Sequence, residues 1–262
     1  MKILNPQFNL DDFFSLLRNH SKRALFLDYD GTLAPFRVER DKALPYPEIM
    51  PVLNQIIDAD HTKVTIISGR SVKDLSALIN LNRDIEMWGA HGMERLLENS
   101  TYHEQALPDA SKKILTEIGY WADKNGMHDR TEIKFGSVAF HWRGKPAHIA
   151  DKNRYDILQK WSHKILALNF KIREFDGGLE IYTTQANKAH AVETVLQEMG
   201  KDTIAAYLGD DLTDEDAFQA IKGKGAAVLV RSKFRKTLAD VQLIPPLELQ
   251  SFLAKWHQIC VH

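Results

Sequence analysis

The chain has 262 residues, 44% hydrophobic and 26% charged, with a formal net charge of -1. This composition suits a soluble globular protein of one or two domains, and it lacks the broad basic field on which non-specific nucleic-acid binding depends. No stretch approaches the roughly 20 apolar residues of a membrane span, and Met1-Lys2-Ile3-Leu4-Asn5-Pro6 lacks a signal peptide's apolar run. The single cysteine, Cys260, cannot form an internal disulfide, so a cytoplasmic setting is expected, with no nucleic-acid and no membrane partner.

In chain order, Phe8, Phe13, Phe14, Leu16 and Leu17 mark an N-terminal helix. The short apolar run Ala24 to Leu27 follows and stops at Asp28, as a buried parallel strand does. The pattern recurs where Val64 to Ile67 ends in Ser68-Gly69-Arg70, and where Ala205 to Leu208 ends in Gly209-Asp210-Asp211. Helix starts follow, with Ser71 and Asp74, and then Thr213 and Asp216, spaced as capping boxes. Ala226 to Val230 reads as a further strand, and Leu249, Phe252, Leu253 and Trp256 mark a C-terminal helix. Alternation of this kind predicts an α/β fold, a Rossmann-like parallel sheet with helices on both faces.

Between about residues 105 and 184 the rhythm changes to helix, two strands, helix, two strands. Val138, Phe140 and Trp142 alternate with Ala139, His141 and Arg143, which predicts a strand with His141 and Arg143 on one face. Glu180 and Tyr182 likewise oppose Leu179 and Ile181. The segment is expected to be an inserted α+β domain with one polar face for a ligand, spanning 105–184 within a discontinuous core of 1–104 and 185–262.

Ligands of open parallel sheets bind beyond the carboxyl ends of the strands. Here those ends carry Asp28 and Asp30, Ser68, and Asp210, Asp211 and Asp214. Clustered carboxylates repel by roughly 4 kcal/mol per pair at about 4 Å, so the group asks for a hard cation, for which Mg2+ is the economical choice. Taken singly, each element has a plainer reading. Asp211 to Asp216 is also an acidic helix start, Ser68 a helix cap, and Lys188 an exposed helix-start lysine. Asp28 could be a Walker-B-like aspartate, but no G-x-x-x-x-G-K-[ST] loop accompanies it.

In their joint order these residues resemble the haloacid dehalogenase (HAD) superfamily of phosphatases. Asp28-x-Asp30-Gly31-Thr32 is similar to its first motif, Ser68 to its second, Lys188 to its third and Gly209-Asp210-Asp211-x-x-Asp214 to its fourth. Within that superfamily, Ile67-Ser68-Gly69-Arg70, Gly89-Ala90-His91-Gly92 and Gly209 to Asp216 look like the trehalose-6-phosphate phosphatases.

The resemblance implies a HAD core with an inserted C2-type cap, and hydrolysis of a sugar phosphate through an aspartyl phosphate on Asp28. Asp30 would be acid and base, and Ser68 and Lys188 would hold phosphate. Mg2+ would be bound around Asp28, Asp30 and Asp210, with Asp211 and Asp214 acting through water or as anchors. Substrate contacts would come from Arg70, His91 and Gly92, and from Glu132, Lys134, His141, Arg143 and Glu180 of the cap. A functional link to a trehalose-6-phosphate synthase would follow.

The chain departs from the family pattern at Glu180-Ile181-Tyr182-Thr183, where an arginine and proline are usual, and at Asn187-Lys188-Ala189, where lysine-glycine is common. The sugar therefore stays open between trehalose 6-phosphate and a sucrose-, mannosylglycerate- or glucosylglycerol-type phosphate. A non-catalytic sugar-phosphate-binding regulatory domain is the alternative of a different class.

Overall fold

In the computed structural model, which describes every residue except Val38, Ala167, Asp176 and His262, the apolar runs become strands and the segments between them helices. The chain opens with β1 (Lys2–Ile3), α1 (Leu10–Asn19), β2 (Lys22–Leu27), α2 (Ile49–Ala59) and β3 (Lys63–Ile67). Next come α3 (Val72–Leu78), β4 (Glu86–Gly89), β5 (Glu94–Leu96) and β6 (Tyr102–Glu104). The middle of the chain forms α4 (Asp109–Lys124), β7 (Thr131–Lys134), β8 (Ser137–His141), α5 (Ala147–Leu166), β9 (Phe170–Phe175) and β10 (Gly178–Thr183). It closes with α6 (Lys188–Met199), β11 (Thr203–Gly209), α7 (Glu215–Ile221), β12 (Gly225–Val230), β13 (Val241–Leu243) and α8 (Leu247–Cys260). Two compact units result, Met1–His103 with Asn187–His262, and Glu104–Ala186.

In the first unit the sheet order is β1-β13-β12-β11-β2-β3-β4-β5-β6. Neighbours from β13 to β4 pair in parallel, whereas β1 and β5 join antiparallel. Both faces are buried, which is why the strands read as unbroken apolar runs. Leu25, Leu27, Ala206, Leu208 and Val228 pack on one side with Phe13, Phe14, Ile56, Phe252 and Trp256 of α1, α2 and α8. Ala24, Phe26, Ala205, Tyr207 and Leu229 pack on the other with Val192, Val195, Ala217 and Phe218 of α6 and α7. The α/β core expected from the alternation is present.

The second unit has a four-stranded antiparallel sheet, β7-β8-β10-β9. Val138, Phe140, Leu179 and Ile181 are buried, and α4 and α5 supply the buried Ile118, Ile157, Trp161 and Ile165. Trp121 stands edge-on to both Phe140 and Trp161, with ring centroids 6.5 and 6.0 Å apart.

Two local expectations shift. The strand predicted to run to Arg143 stops at His141, where the register ends opposite Gly178. Trp142 N–H then bonds Gly177 O at 2.8 Å, and Lys145 N–H turns back to Trp142 O at 3.0 Å. Arg143 therefore lies in a turn, and strand period does not set its face. The capping box predicted at Thr213 and Asp216 is instead made by Asp211 and Asp214, around the 3-10 turn Leu212–Asp214. The reason is tertiary, because Asp214 is drawn inward by buried donors described below.

Phe252 is 1% exposed and packs its ring against Phe14 and Trp256. Phe252→Ala is expected to lower unfolding free energy by about 3–5 kcal/mol in urea titrations, the cost of an uncollapsed aromatic cavity.

Candidate active site

Strand β2 lies between β11 and β3, so its end is flanked by the ends of both neighbours. Asp28 N–H continues the ladder to Leu208 O at 2.9 Å, which fixes the Asp28 backbone beside the loop that carries Asp210. On the other side, Ser68 N–H bonds Trp88 O at 2.8 Å at the end of β3. Between them Gly31 has φ +87°, and a Cβ there would stand 2.3 Å from Asp210 Oδ2. Only glycine lets the two acidic loops approach this closely.

The centre of the site is a buried ammonium between two carboxylates. Lys188, at the first turn of α6 behind its N-cap Asn187, is 2% exposed. Its Nζ donates to Asp28 Oδ1 at 2.6 Å and to Asp214 Oδ1 at 2.7 Å. The Tyr207 hydroxyl also donates to Asp214 Oδ1, at 2.6 Å. Asp214 Oδ2 accepts the peptide N–H groups of Asp210 and Asp211 at 3.0 and 2.9 Å. Four protein donors thus saturate Asp214. The remaining oxygen of Asp28, Oδ2, accepts the Thr32 hydroxyl at 3.1 Å.

The electrostatics divide these carboxylates. Burial opposes ionisation of Asp214, but the Lys188 charge and the hydrogen bonds hold its carboxyl below the usual range. Burial pushes Asp28 up to about 7 against the pull of Lys188, with Asp214 and Asp30 adding repulsion. Burial, then Asp28 and Asp214, push Asp210 well above the usual range.

One carboxylate oxygen from each of Asp28, Asp210 and Asp214 lies within 4.8 Å of the others, so the group could hold a metal ion. The fit is chemical as well as geometric: hard oxygen donors, and two buried carboxylates whose repulsion a cation relieves. Because Asp214 is spent on protein donors, Asp28 and Asp210 are the carboxylates best placed as ligands, with Asp214 as their anchor.

Asp30 takes a fork from Arg70, whose Nε and Nη2 each donate at 2.6 Å to a different carboxylate oxygen. Arg70 is itself 3% exposed. Its peptide N–H bonds Ser68 Oγ at 3.1 Å, so the Ser68 hydroxyl is held against its own loop. The turn at Ala90, His91 and Gly92 braces that loop, through Ala90 N–H to Arg70 O at 2.7 Å and His91 N–H to Ser68 O at 2.9 Å. Ala90 and His91 have φ of 46° and 57°, left-handed backbone in two successive non-glycine residues, a strain that packed surroundings must hold. At Gly92, φ +93°, a Cβ would stand 2.8 Å from Asn187 O, which places this turn against the peptide just before Lys188.

In the second unit, one sheet face carries a chain of charges. His141 Nε2 lies 3.1 Å from Glu132 Oε2, and Lys134 Nζ lies 3.7 Å from Glu132 and 3.4 Å from Glu180. Glu180, 2% exposed, accepts Ser137 Oγ at 2.6 Å and a fork from Arg173 at 2.8 and 2.6 Å. Arg173 sits directly opposite Glu180 in the register and lies over the Tyr182 ring, 4.2 Å from its centroid.

The structure therefore brings Asp28, Asp30, Ser68, Arg70, His91, Gly92, Lys188, Asp210, Asp211 and Asp214 together in the first unit. Glu132, Lys134, His141 and Glu180 share the sheet face of the second, with Arg143 in the adjoining turn. Sequence reasoning missed Tyr207 and Arg173. A tyrosine inside the otherwise aliphatic run Ala205 to Leu208 was a usable signal, because a buried hydroxyl needs a partner. Arg173 carried no signal without the pairing of β9 with β10.

Comparison with known proteins agrees with this geometry. The family described as trehalose-phosphatase matches the chain over residues 26–242. A protein of Arabidopsis thaliana, "Probable trehalose-phosphate phosphatase C", is 28% identical over 94% of this chain and 82% of its own length. The structure of the Candida albicans trehalose-6-phosphate phosphatase C-terminal domain superposes with a TM-score of 0.79 at 18% identity, covering 99% of both chains. A haloacid dehalogenase-like hydrolase from B. subtilis superposes with a TM-score of 0.63 at 13% identity, over 88% of this chain and 98% of its own. These structural likenesses establish the fold, a HAD-type core with an inserted α+β unit.

Asp214→Ala would strand the Lys188 ammonium against Asp28 alone and orphan the Tyr207 hydroxyl and two peptide N–H groups. The expected loss is about 3–5 kcal/mol of unfolding free energy, read by urea titration, as for breaking other buried ion pairs.

Proposed function

The chain belongs to the trehalose-phosphatase family, and on that premise we propose that it hydrolyses trehalose 6-phosphate to trehalose and phosphate through an aspartyl phosphate. It is a phosphoric monoester hydrolase. The observation that carries the mechanism is the buried Asp28 carboxylate at a strand end, pinned by Lys188 on one oxygen and Thr32 on the other, with Asp210 beside it.

In the first half-reaction an Asp28 oxygen forms the bond to phosphorus, and the bond from phosphorus to the sugar oxygen breaks. That oxygen leaves with a proton from Asp30. In the second, Asp30 takes a proton from water, whose oxygen attacks phosphorus and releases Asp28 and inorganic phosphate. In this structure the Arg70 fork occupies both Asp30 oxygens, so the proton transfers require one of those two bonds to open and free an oxygen, while the other keeps the carboxyl directed. Lys188 keeps Asp28 aimed and supplies positive charge toward the phosphate oxygens, which Ser68 would also meet. Mg2+, held by Asp28, Asp210 and the main-chain carbonyl of Asp30, would offset the repulsion between an anionic nucleophile and an anionic substrate. His91 and Gly92 would shape the phosphate end of the site, and Asp211 would act through water.

Specificity is assigned to the sheet face of the second unit. Glu132, Lys134, His141 and Glu180, with Arg143 nearby, offer carboxylates and basic groups suited to sugar hydroxyls. Tyr182 stands where the family usually has an arginine, and this favours as a second reading the phosphate of a related glycosyl compound. A non-catalytic regulatory role fits poorly with a chain that keeps Asp28, Asp30, Lys188 and Asp210.

Among the described residues no helix is long and apolar enough to cross a membrane. We place the reaction in the cytoplasm, where a single buried Cys260 suits reducing conditions, and downstream of a synthase that makes the ester.

Asp28→Asn keeps the shape and removes the nucleophile. Phosphate release from trehalose 6-phosphate with Mg2+ is expected to fall by roughly 10^3-fold or more, the scale of losing one member of a catalytic unit. Substantial remaining activity would sink the mechanism. The substrate is checked separately by kcat/KM across sucrose-, mannosylglycerate-, glucosylglycerol- and trehalose-type phosphates, where trehalose 6-phosphate should rank first; another sugar in first place would make the second reading correct.

A further inference from the structure

The loop that carries Asp210 is gripped from two sides, and only one grip belongs to the motif residues. From the inside, Asp214 Oδ2 accepts the N–H groups of Asp210 and Asp211. From the outside, Arg235 takes the carbonyls of the same two residues, with Nε to Asp210 O at 3.2 Å and Nη2 to Asp211 O at 2.6 Å. Arg235 lies in the segment between β12 and β13, 25 residues from Asp210 in the chain and outside every motif.

The guanidinium is in turn held in place. Its Nη1 is ion-paired with Glu215 Oε1 and donates to Lys236 O at 3.0 Å. Glu215, the first residue of α7, also accepts the Thr237 hydroxyl and the Leu238 N–H, both at 2.7 Å. Arg231 adds a longer contact, Nη1 to Asp210 O at 3.5 Å, and approaches Asp211 Oδ1 at 3.9 Å. The carboxylate of Glu215 offsets the charge of Arg235, so what remains of Arg235 is geometry. A planar fork reaches two carbonyls one residue apart from two different nitrogens, a match of shape that the single nitrogen of a lysine reproduces only in part.

We propose that Arg235, locked by Glu215, is a positioning residue that aims the Asp210 carboxylate at the metal, a role that rests on the reading of Asp210 as a metal ligand. With the N–H and C=O of Asp210 both bonded, its backbone rotation is fixed, and with it the direction of the Cα–Cβ bond. Mg2+ demands near-ideal octahedral geometry, so a loop released from its outer grip presents the same carboxylate less often in register.

The test is direct Mg2+ binding by calorimetry on the full chain, with thermal unfolding in parallel. Arg235→Gln is expected to weaken Mg2+ binding by about tenfold, the lower end for residues that orient metal ligands, and Arg235→Lys by less. The Mg2+ concentration for half-maximal turnover should rise equally, with KM for the sugar phosphate at saturating Mg2+ unchanged. An Arg235→Gln protein that melts earlier but binds Mg2+ as the parent does would overturn the proposal. If that variant does not fold, Glu215→Gln carries the test, with a smaller loss expected and parent-like Mg2+ affinity overturning it. Asp210→Asn separates the two levels. Parent-like Mg2+ binding there would remove Asp210 from the metal set and defeat the underlying reading, whereas loss in Asp210→Asn with none in Arg235→Gln overturns Arg235 alone.

Discussion

Everything at the site depends on one buried ammonium. Lys188, 2% exposed, is tolerable there only because Asp28 and Asp214 both meet its Nζ at hydrogen-bond distance. The arrangement joins three strand and helix ends that are distant in sequence, namely the end of β2, the start of α6 and the loop after β11. It also sorts the carboxylates by function. Asp214, with four donors, is held below the usual carboxylate range, whereas burial pushes Asp28, with only Lys188 and Thr32, up to about 7, a contrast on which the proposed nucleophile role rests.

The surrounding constraints serve that pair. Gly31 allows the Asp28 and Asp210 loops to close on each other, and the left-handed Ala90-His91-Gly92 turn ties the Ser68-Arg70 loop to the cap of α6. The parallel sheet supplies the rigid base, because its strands are packed on both faces and their ends cannot drift. The second unit repeats the economy with an antiparallel sheet: apolar residues on one face against α4 and α5, and a continuous chain of charges on the other. There, Arg173 on β9 lies over the Tyr182 ring and forks to Glu180 on the neighbouring strand, so a guanidinium stands beside the buried carboxylate.

Sequence by itself determined the strand ends and their contents. An apolar run buried on both faces has no alternative when it meets Asp28, Ser68 or Asp210: the chain must leave the sheet there, so the acidic and hydroxyl residues fall at the ligand-binding edge. The order of those elements also carried the family. Local periodicity placed His141 and Glu180 on polar faces, although the strand stopped short of Arg143 once the turn at Gly144 took over.

Tertiary structure decided which side chain meets which. The capping box at Asp211 and Asp214, rather than at Thr213 and Asp216, follows from Lys188 and Tyr207 drawing Asp214 inward, and both donors are far away or read as plain strand residues. Asp214 and Asp210 look equivalent in a string of aspartates, and only the donors around each make one an anchor and the other a ligand candidate. Arg235 and Arg173 were silent for the same reason. Their partners are backbone carbonyls and a carboxylate brought close by sheet pairing and loop packing, and contacts of that range leave no period or motif in a single sequence.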